Sequence, residues 1–325
     1  MKTKLFNIII VFIALIAFSR TYSQDSRQEP KFKKQKSYTK SYNVSSTDRI
    51  SLDNQFGEMK LITWDKNEVK VDVAITAESD DETRAQKILD IISIDDKKNN
   101  NEVSFKTNFL QEKDEQNKDR KHNYKEGMKI DYIVYLPAGN PLLAKNQFGA
   151  MIVPDYRGEA TLDCQFGSLT TGKITNNKYI KVGFGKATIG QVNNGKIDIQ
   201  YSTGTIDKLV GDIDLKTEFS GAVKVNVDND VKSLDINTSY STLYLDLSKN
   251  LSASYNISNS YGSFKNKSNF TIDGGNDKKD FMGSRYSGTS GNGASKITVR
   301  NSFGSVTAGH DLQVDTSKKK KSATI

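Results

Sequence analysis

Few side chains in this 325-residue sequence have the chemistry for catalysis, and their positions do not bring them together. Its two histidines are His122, in a charged stretch, and His310, which we expect in a frayed C-terminus. Neither has an evident partner for general-base catalysis. The single cysteine, Cys164, falls on the apolar positions of a strand pattern, which predicts a small core residue rather than a nucleophile. We therefore expect no catalytic residue and no enzymatic activity.

Carboxylates are the remaining candidates, because enzymes that cleave acidic polysaccharides use clustered acids, or a basic residue beside acids that bind Ca²⁺. The acids expected to face outward lie at turns or alternate with apolar residues, as on solvated strand faces. They are Asp198, Asp212, Asp214, Asp228, Asp230, Asp235 and Asp246. The segment DGGNDKKDF (273–281) faintly resembles a Ca²⁺-binding turn, but such sites need tandem copies and the sequence has one. We expect no metal site and no cofactor.

The net charge of +8 describes the two ends of the chain. Three basic residues lie in the first 23, residues 24–42 carry six basic and two acidic side chains, and Lys318, Lys319, Lys320 and Lys321 form a basic tail. Residues 43–317 are left with a net charge of −3. Nucleic-acid binding needs a basic face on the folded part, so we expect none. Weak contact of the lysine tail with an anionic surface is a separate expectation.

Residues 1–23 have the pattern of a secretory signal peptide. Lys2 and Lys4 precede an apolar run over 5–18, and Thr21 and Ser23 supply small residues for cleavage. The run is too short for a membrane span, so we expect no transmembrane segment in the mature chain. An exported chain without disulfides fits a bacterial envelope, and we expect a periplasmic, outer-membrane-associated or extracellular protein.

A repeat dominates the rest of the sequence. Phe148, Phe166, Phe184, Tyr201, Phe219, Tyr240 and Tyr261 each precede Gly or Ser and are separated by 18, 18, 17, 18, 21 and 21 residues. Bulky apolar residues recur five and eight positions after the aromatic, and turn residues separate the halves of each unit. Alternation such as Lys196-Ile197-Asp198-Ile199 is typical of a strand with one buried face.

One such unit cannot bury its apolar row alone, so the copies must stack. The pattern predicts an all-β fold, a β-solenoid resembling a parallel β-helix. Counting by twos back from each aromatic reaches Cys164, Val182, Ile199 and Thr217, which predicts that the rings point into the core. The predicted column comprises Phe56, Phe148, Phe166, Phe184, Tyr201, Phe219, Tyr240, Tyr261 and Phe303. We expect it to be structural, with a solvent-facing sugar platform as the alternative. The small residue after each ring predicts a tight corner.

Phe56-Gly57 and Phe303-Gly304 repeat the motif near both termini, which suggests further repeats that could cap the array. A capping box at Ser79–Glu82 and an apolar face predict one inserted helix over about 79–93, covering an open strand edge. We expect a signal peptide over 1–23, a flexible linker over 24–42, an N-terminal β-rich part over 43–145, a solenoid over 146–310 and a flexible tail over 311–325. Strands are predicted at 102–109 and 128–136, and exposed loops at 111–127 and 273–293.

These residues carry a family resemblance. The segment NQFGEMKLITWDKNEVKVDVAITAES, the helix with ETRAQKILDIISI, the strand NEVSFKTNF and the serial Phe-Gly units resemble the bacterial putative-adhesin β-strand-repeat family, a domain of unknown function common in secreted proteins of Bacteroidetes. The resemblance covers about 43–310 and implies a right-handed β-solenoid in or outside the envelope. It implies no particular functional residue.

Three functions remain open. The first is a non-catalytic binding or structural module of the envelope, with a glycan or an envelope protein as partner. The second is a polysaccharide lyase or hydrolase of β-helix type, which requires acids and a basic residue converging from neighbouring repeats. The third, a periplasmic component of an envelope-sensing system, is suggested by the resemblance alone.

Overall fold

The computed structural model describes residues 29–110, 125–275 and 283–314, which form an all-β fold with one α-helix and a large sheet that does not close on itself. The predicted signal peptide, the lysines at 318–321 and most of the predicted loop at 111–127 lie outside these ranges.

The helix is α1 (Glu82–Ile91). The strands are β1 (Phe32–Asn43), β2 (Arg49–Gln55), β3 (Met59–Trp64), β4 (Glu68–Ser79), β5 (Ile92–Asn99), β6 (Glu102–Phe109), β7 (Glu126–Pro137), β8 (Leu142–Gln147), β9 (Ala150–Val153), β10 (Tyr156–Gln165), β11 (Ser168–Gly183), β12 (Lys186–Gln200), β13 (Thr203–Glu218), β14 (Ala222–Val227), β15 (Val231–Ser239), β16 (Thr242–Leu247), β17 (Ala253–Ser260), β18 (Ser263–Lys267), β19 (Ile272–Gly274), β20 (Ser284–Ser290), β21 (Ser295–Ser302) and β22 (Ser305–Gly309).

Successive repeats pair in parallel and in register. In β10, β11 and β12, for example, Cys164 lies beside Val182 and Val182 beside Ile199. We call a rung the two strand segments that flank one aromatic residue of the repeat. Each rung hydrogen-bonds to the next on both sides of the aromatic, so the sequence repeat is also a spatial repeat.

The order of the rungs in space departs from the order in the chain at the C-terminal end. The last unit, β21 and β22, lies between the rung of β15 and β16 and the rung of β17 and β18. In space the nine described rungs follow the order Phe56, Phe148, Phe166, Phe184, Tyr201, Phe219, Tyr240, Phe303, Tyr261. Neither the Phe56 unit nor the Phe303 unit is therefore a terminal cap, because each has further strands on both sides.

The interior is filled by the apolar positions that alternate along each strand. One column runs through Leu162, Ile180, Ile197, Leu215 and Ile236, all at most 1% exposed. The predicted apolar positions five and eight residues after the aromatics are also buried; they are Val153, Ile189, Ile206 and Leu245, and Tyr156, Ile174, Val192, Leu209 and Val227. The period-two prediction holds along the strands.

Charged residues alternate in sign along one outward column of the same strands. The column runs Lys106, Asp53, Lys145, Asp163, Lys181, Asp198, Lys216, Asn237, Arg300. Opposite charges on adjacent strands favour the observed register.

The N-terminal end is closed by antiparallel strands. β7 pairs in parallel with β3 and antiparallel with β4, and β1 pairs antiparallel with β4. The helix α1 packs against β4 and β1 and buries Ala85 and Leu89. Its N-cap is Asp81, whose carboxylate accepts from the Arg84 backbone N–H at 2.9 Å, so the predicted N-cap, Ser79, is wrong. Ser79 instead ends β4 and accepts from the Asp81 N–H.

One segment predicted as a flexible linker and one predicted as an exposed loop contain strands. The linker predicted over 24–42 includes most of β1, because β4 supplies a full-length antiparallel partner and the hydroxyls of Tyr38 and Tyr42 donate to Asp96 of β5. Its lysines lie on an edge strand, where charge is expected. The loop predicted over 273–293 contains β20, which pairs with β17 and β19 through backbone hydrogen bonds. A Gly- and Ser-rich composition does not indicate such backbone pairing.

The inserted position of the last rung gives a test. Val299 is fully buried between Ile236 and Ile257, so Val299→Asp places an unpaired charge in the core and lowers the free energy of unfolding by about 3 kcal/mol or more. Hydrogen exchange should then accelerate on both flanking rungs, 231–247 and 253–267. The surface change Arg300→Asn serves as control. Faster exchange confined to 295–309 would contradict the inserted position.

Candidate functional site

A stack of aromatic rings, which we call the aromatic ladder, runs along the described surface. It comprises Phe56, Phe148, Phe166, Phe184, Tyr201, Phe219, Tyr240, Phe303 and Tyr261 in spatial order. Neighbouring ring centroids are 4.6–5.1 Å apart and the ring planes are within 12° of parallel. The sequence repeat therefore produces a continuous column of rings, one per rung.

The ladder lies on the outside, so the prediction that these rings point into the core is wrong. Eight of the nine residues, Phe148, Phe166, Phe184, Tyr201, Phe219, Tyr240, Tyr261 and Phe303, are 45–59% exposed, and Phe56 is half-buried. Phe109 packs edge-on against Phe56 at the N-terminal end. A structural role for the column stays a prediction.

The backbone at each ring explains the error. All nine ladder residues have φ between 47° and 63°, in the left-handed region. Side chains alternate between the two faces only while the chain keeps β dihedrals. A single left-handed residue turns the chain and resets the alternation, so Cys164 points inward while Phe166 points outward. Counting by twos cannot cross such a corner.

The left-handed conformation is unusual for bulky residues and costs about 1–2 kcal/mol per residue. Ring stacking contributes about 0.5–1.5 kcal/mol per pair beyond burial. The two magnitudes are similar, so each ring offsets much of the strain of its own corner through contact with the rings above and below. We infer that the ladder stabilises the corners collectively.

Backbone contacts between corners are close. The N–H groups of eight ladder residues donate to carbonyl oxygens of the next rung at 2.9–3.0 Å, as in Phe166 N–H to Gly183 O. A Cβ on Gly167 would lie 1.9 Å from the Gly149 carbonyl oxygen, and one on Gly185 would lie 1.7 Å from that of Gly167. The predicted reason for the small residues, crowding at a corner, agrees with this geometry.

Serine replaces glycine at three successive corners and uses its hydroxyl there. Ser202 accepts from the Gly185 N–H at 2.9 Å and donates to Gln200 O at 2.6 Å, and Ser241 accepts from the Ser220 N–H at 3.0 Å. All three serines are buried. The hydroxyls thus link one corner to the next where the backbones leave room for a side chain.

Buried asparagines brace the corners near both ends of the ladder, a feature that the sequence analysis missed. Asn146 donates to Gly57 O and Ala150 O at 3.0 and 3.1 Å, and Asn301 donates to Asn259 Oδ1 and Gly304 O at 2.9 and 3.0 Å. They occupy the inward position two residues before the ring, which is Cys164 or Val182 in central rungs. In the sequence, these residues could have been recognised as asparagines at positions where other repeats have an apolar residue.

The chemistry of the ladder follows from its stacking. Inner ring faces are covered by neighbouring rings, so a sugar cannot stack face-on on them. The predicted alternative, a solvent-facing sugar platform, is compatible with the exposed rings only through their edges. The ring edges and the hydroxyls of Tyr201, Tyr240 and Tyr261 remain accessible. Edges carry the positive part of the ring quadrupole and attract oxygen lone pairs. The ladder can therefore contact oxygen-rich ligands along its length.

The other candidate residues are separate from the ladder. Cys164 is buried as predicted, and burial raises the pKa of its thiol to about 12, so it is not a nucleophile near neutral pH. His310 is not frayed, because its ring nitrogens lie 2.6 Å from Leu247 O and from Asn269 Oδ1. Within the described residues, no group of three or more His, Cys, Asp or Glu side chains could hold a metal ion.

The outward acids mostly lie next to cations. Asp246 pairs with Lys224 at 2.8 Å, Asp230 with Lys208 at 2.5 Å, and Asp235 with Arg300. A shallow groove does bring together Asp198, Asp214, Lys196, Lys216 and Tyr179 from adjacent rungs. Tyr179 lies 3.2 Å from Asp198, and burial together with that carboxylate raises its pKa to about 12. This groove is the site to which an enzymatic function would have to be assigned.

Comparisons with known proteins give low similarities. No family model and no curated protein matches the chain. Solved structures described as a putative adhesin from Bacteroides fragilis (11% identity, TM-score 0.35, 84% of this chain and 97% of that one) and a putative adhesin from Parabacteroides distasonis (12%, TM-score 0.33, 85% and 97%) resemble it. So does a putative lipid binding protein from Parabacteroides distasonis (8%, TM-score 0.29, 84% and 96%). The adhesin descriptions are consistent with the resemblance that the repeats indicated; at these TM-scores the similarity carries no argument about activity.

None of the helices in the described ranges is long and apolar enough to cross a membrane.

The exposed position of the ladder predicts an unusual mutational result. Phe184→Asn removes two stacking contacts but places at the corner a residue that tolerates left-handed dihedrals, so it should lower the free energy of unfolding by less than about 1.5 kcal/mol. Ile199→Ala, in the core of the next rung, should cost about 2–5 kcal/mol. Urea denaturation measures both. An equal or larger loss in Phe184→Asn would mean that the ring behaves as core.

Proposed function

We propose that this chain is an exported, non-catalytic protein of the bacterial cell envelope, a right-handed β-solenoid that binds a surface molecule along its aromatic ladder. The observation that carries the proposal is the exposure of eight contiguous rings in one continuous column. Half-exposed aromatic rings present roughly 100 Å² each, so these eight rings offer about 800 Å² in all. Apolar patches above a few hundred Å² usually mark interaction sites.

The repeat geometry supports a binding role for an elongated partner. The ladder spans eight intervals of about 4.8 Å, or about 40 Å. Each rung offers a similar contact, so affinity arises from many weak interactions distributed along the column rather than from one pocket. Export and the basic tail rest on sequence segments outside the described residues and belong to this proposal as predictions.

A retention experiment tests the binding role. The triple variant Phe166→Asn, Phe184→Asn and Tyr201→Asn removes three adjacent rings at positions where asparagine suits the backbone. Its matched control changes three outward threonines on the same rungs, Thr170→Asn, Thr188→Asn and Thr205→Asn. Wild type and control should be retained on isolated cell-wall, outer-membrane or polysaccharide fractions, and the ring variant about tenfold less. Equal retention of both variants, or no retention of wild type, would refute the proposal.

A second candidate, a polysaccharide lyase or hydrolase, is favoured by one observation, the groove that holds Asp198, Asp214 and Lys196 on adjacent rungs. Asp198 and Lys216 belong to the column of alternating charge that fits the strand register, and Lys216 is already paired with Glu218 at 2.7 Å. We rank it second for that reason. Release of unsaturated or reducing ends from an acidic polysaccharide, lost in Asp198→Asn, would reverse the ranking.

A further inference from the structure

The residues beside the aromatic ladder restrict the kind of molecule that it can bind. On one side, the residues just before the rings form a column of mainly amides and hydroxyls: Gln55, Gln147, Gln165, Gly183, Gln200, Glu218, Ser239, Ser302 and Ser260. On the other side the column runs Glu58, Ala150, Ser168, Lys186, Thr203, Ala222, Thr242, Ser305 and Ser263. These two columns contain three charged residues, Glu58, Glu218 and Lys186.

On the side of the residues that precede the rings, the next outward column does not create a field that would attract a charged polymer. It is the alternating row in which Lys145, Asp163, Lys181, Asp198 and Lys216 follow one another. Opposite charges about 4.8 Å apart cancel within one Debye length, about 8–10 Å in physiological salt. A polyanion or a polycation lying along this row would meet both attraction and repulsion. The row and the two flanking columns favour a neutral ligand that offers many hydroxyl or ether oxygens.

The ladder also has an internal period of two rungs. From Phe184 onward the rings alternate in space as Phe184, Tyr201, Phe219, Tyr240, Phe303, Tyr261. The hydroxyls of Tyr201, Tyr240 and Tyr261 make no hydrogen bond within the described residues, and they recur at every second rung, about 10 Å apart. Chain order does not show this alternation, because the Phe303 rung is inserted between Tyr240 and Tyr261.

We propose that the ladder binds a neutral, extended, β-linked polysaccharide whose chain lies lengthwise over the rings. This inference rests on the binding role proposed above and adds the ligand class. In an extended β-1,4-linked chain each sugar is turned over relative to the one before, so the same edge of the sugar recurs at every second residue. That two-residue repeat matches the spacing of the tyrosine hydroxyls. Sugar oxygens contact the positive ring edges, and the flanking amides and hydroxyls complete the hydrogen bonds.

Three polysaccharides distinguish the effect of the ligand's charge from the effect of its glycosidic linkage. Amorphous cellulose is neutral and β-1,4-linked, mannuronate-rich alginate is β-1,4-linked but anionic, and amylose is neutral but α-linked. The full chain should sediment with cellulose and bind alginate and amylose at least about tenfold more weakly. Alginate or amylose bound as well as cellulose would overturn the ligand class.

The tyrosine hydroxyls are tested without removing a ring. The triple variant Tyr201→Phe, Tyr240→Phe and Tyr261→Phe keeps the stack and removes three hydroxyls, so cellulose affinity should fall about tenfold or more at an unchanged unfolding temperature. Tyr244→Phe, outward on β16, is the matched control and should bind like wild type. Wild-type binding by the triple variant would overturn the proposed alignment of sugars with hydroxyls.

The experiments give one result if the proposed ligand class is wrong and a different result if the binding role itself is wrong. If none of the three polymers is bound but the asparagine ring variant still loses retention on envelope fractions, the ladder binds a ligand of another class. If that variant is retained like wild type, the binding role itself is wrong.

Discussion

The structure depends on one recurring corner, an aromatic residue in the left-handed conformation followed by glycine or serine. At eight of the nine corners the aromatic N–H donates to the next rung, and the following residue, glycine or a small serine, packs closely against the neighbouring corner. These two contacts fix the rise between rungs and the register of the strands on either side. The ring has to point outward because the left-handed residue turns its side chain away from the core.

Every surface column follows from that register. Because each rung lies directly over the next, a residue type that recurs in sequence becomes a straight row in space: rings, amides, or charges of alternating sign. Stacking among the rings has about the same magnitude as the strain at the corners, so we infer that one row stabilises the turn and supplies an exposed surface at once. The proposed binding role and the inferred structural role would therefore depend on the same side chains.

Sequence periodicity was sufficient to predict the strands but not the corners between them. Alternation along β10 to β13 predicted the buried rows, the parallel stacking and the burial of Cys164, since period two holds wherever dihedrals are extended. The alternation did not predict the direction of Phe166 and the equivalent rings. Phenylalanine and tyrosine rarely adopt a positive φ, and the local sequence does not indicate one here. The insertion of the Phe303 rung was also hidden, since pairing order is a long-range property. The basic stretch at 32–43 looked like a linker because its antiparallel partner, β4, is supplied from elsewhere in the chain.

Hydroxyl-radical footprinting with mass spectrometry tests the central claim, the outward ladder, most directly, because it reports the solvent access of individual rings. Phe166, Phe184, Tyr201 and Phe219 should be oxidised in the native protein at rates within a few-fold of those in denaturant, whereas Phe105, Tyr132 and Tyr156, each at most 1% exposed, should be protected. If the ladder rings are protected to the same degree as Phe105, they lie inside the fold, and both the left-handed corner and the surface built on it would be wrong.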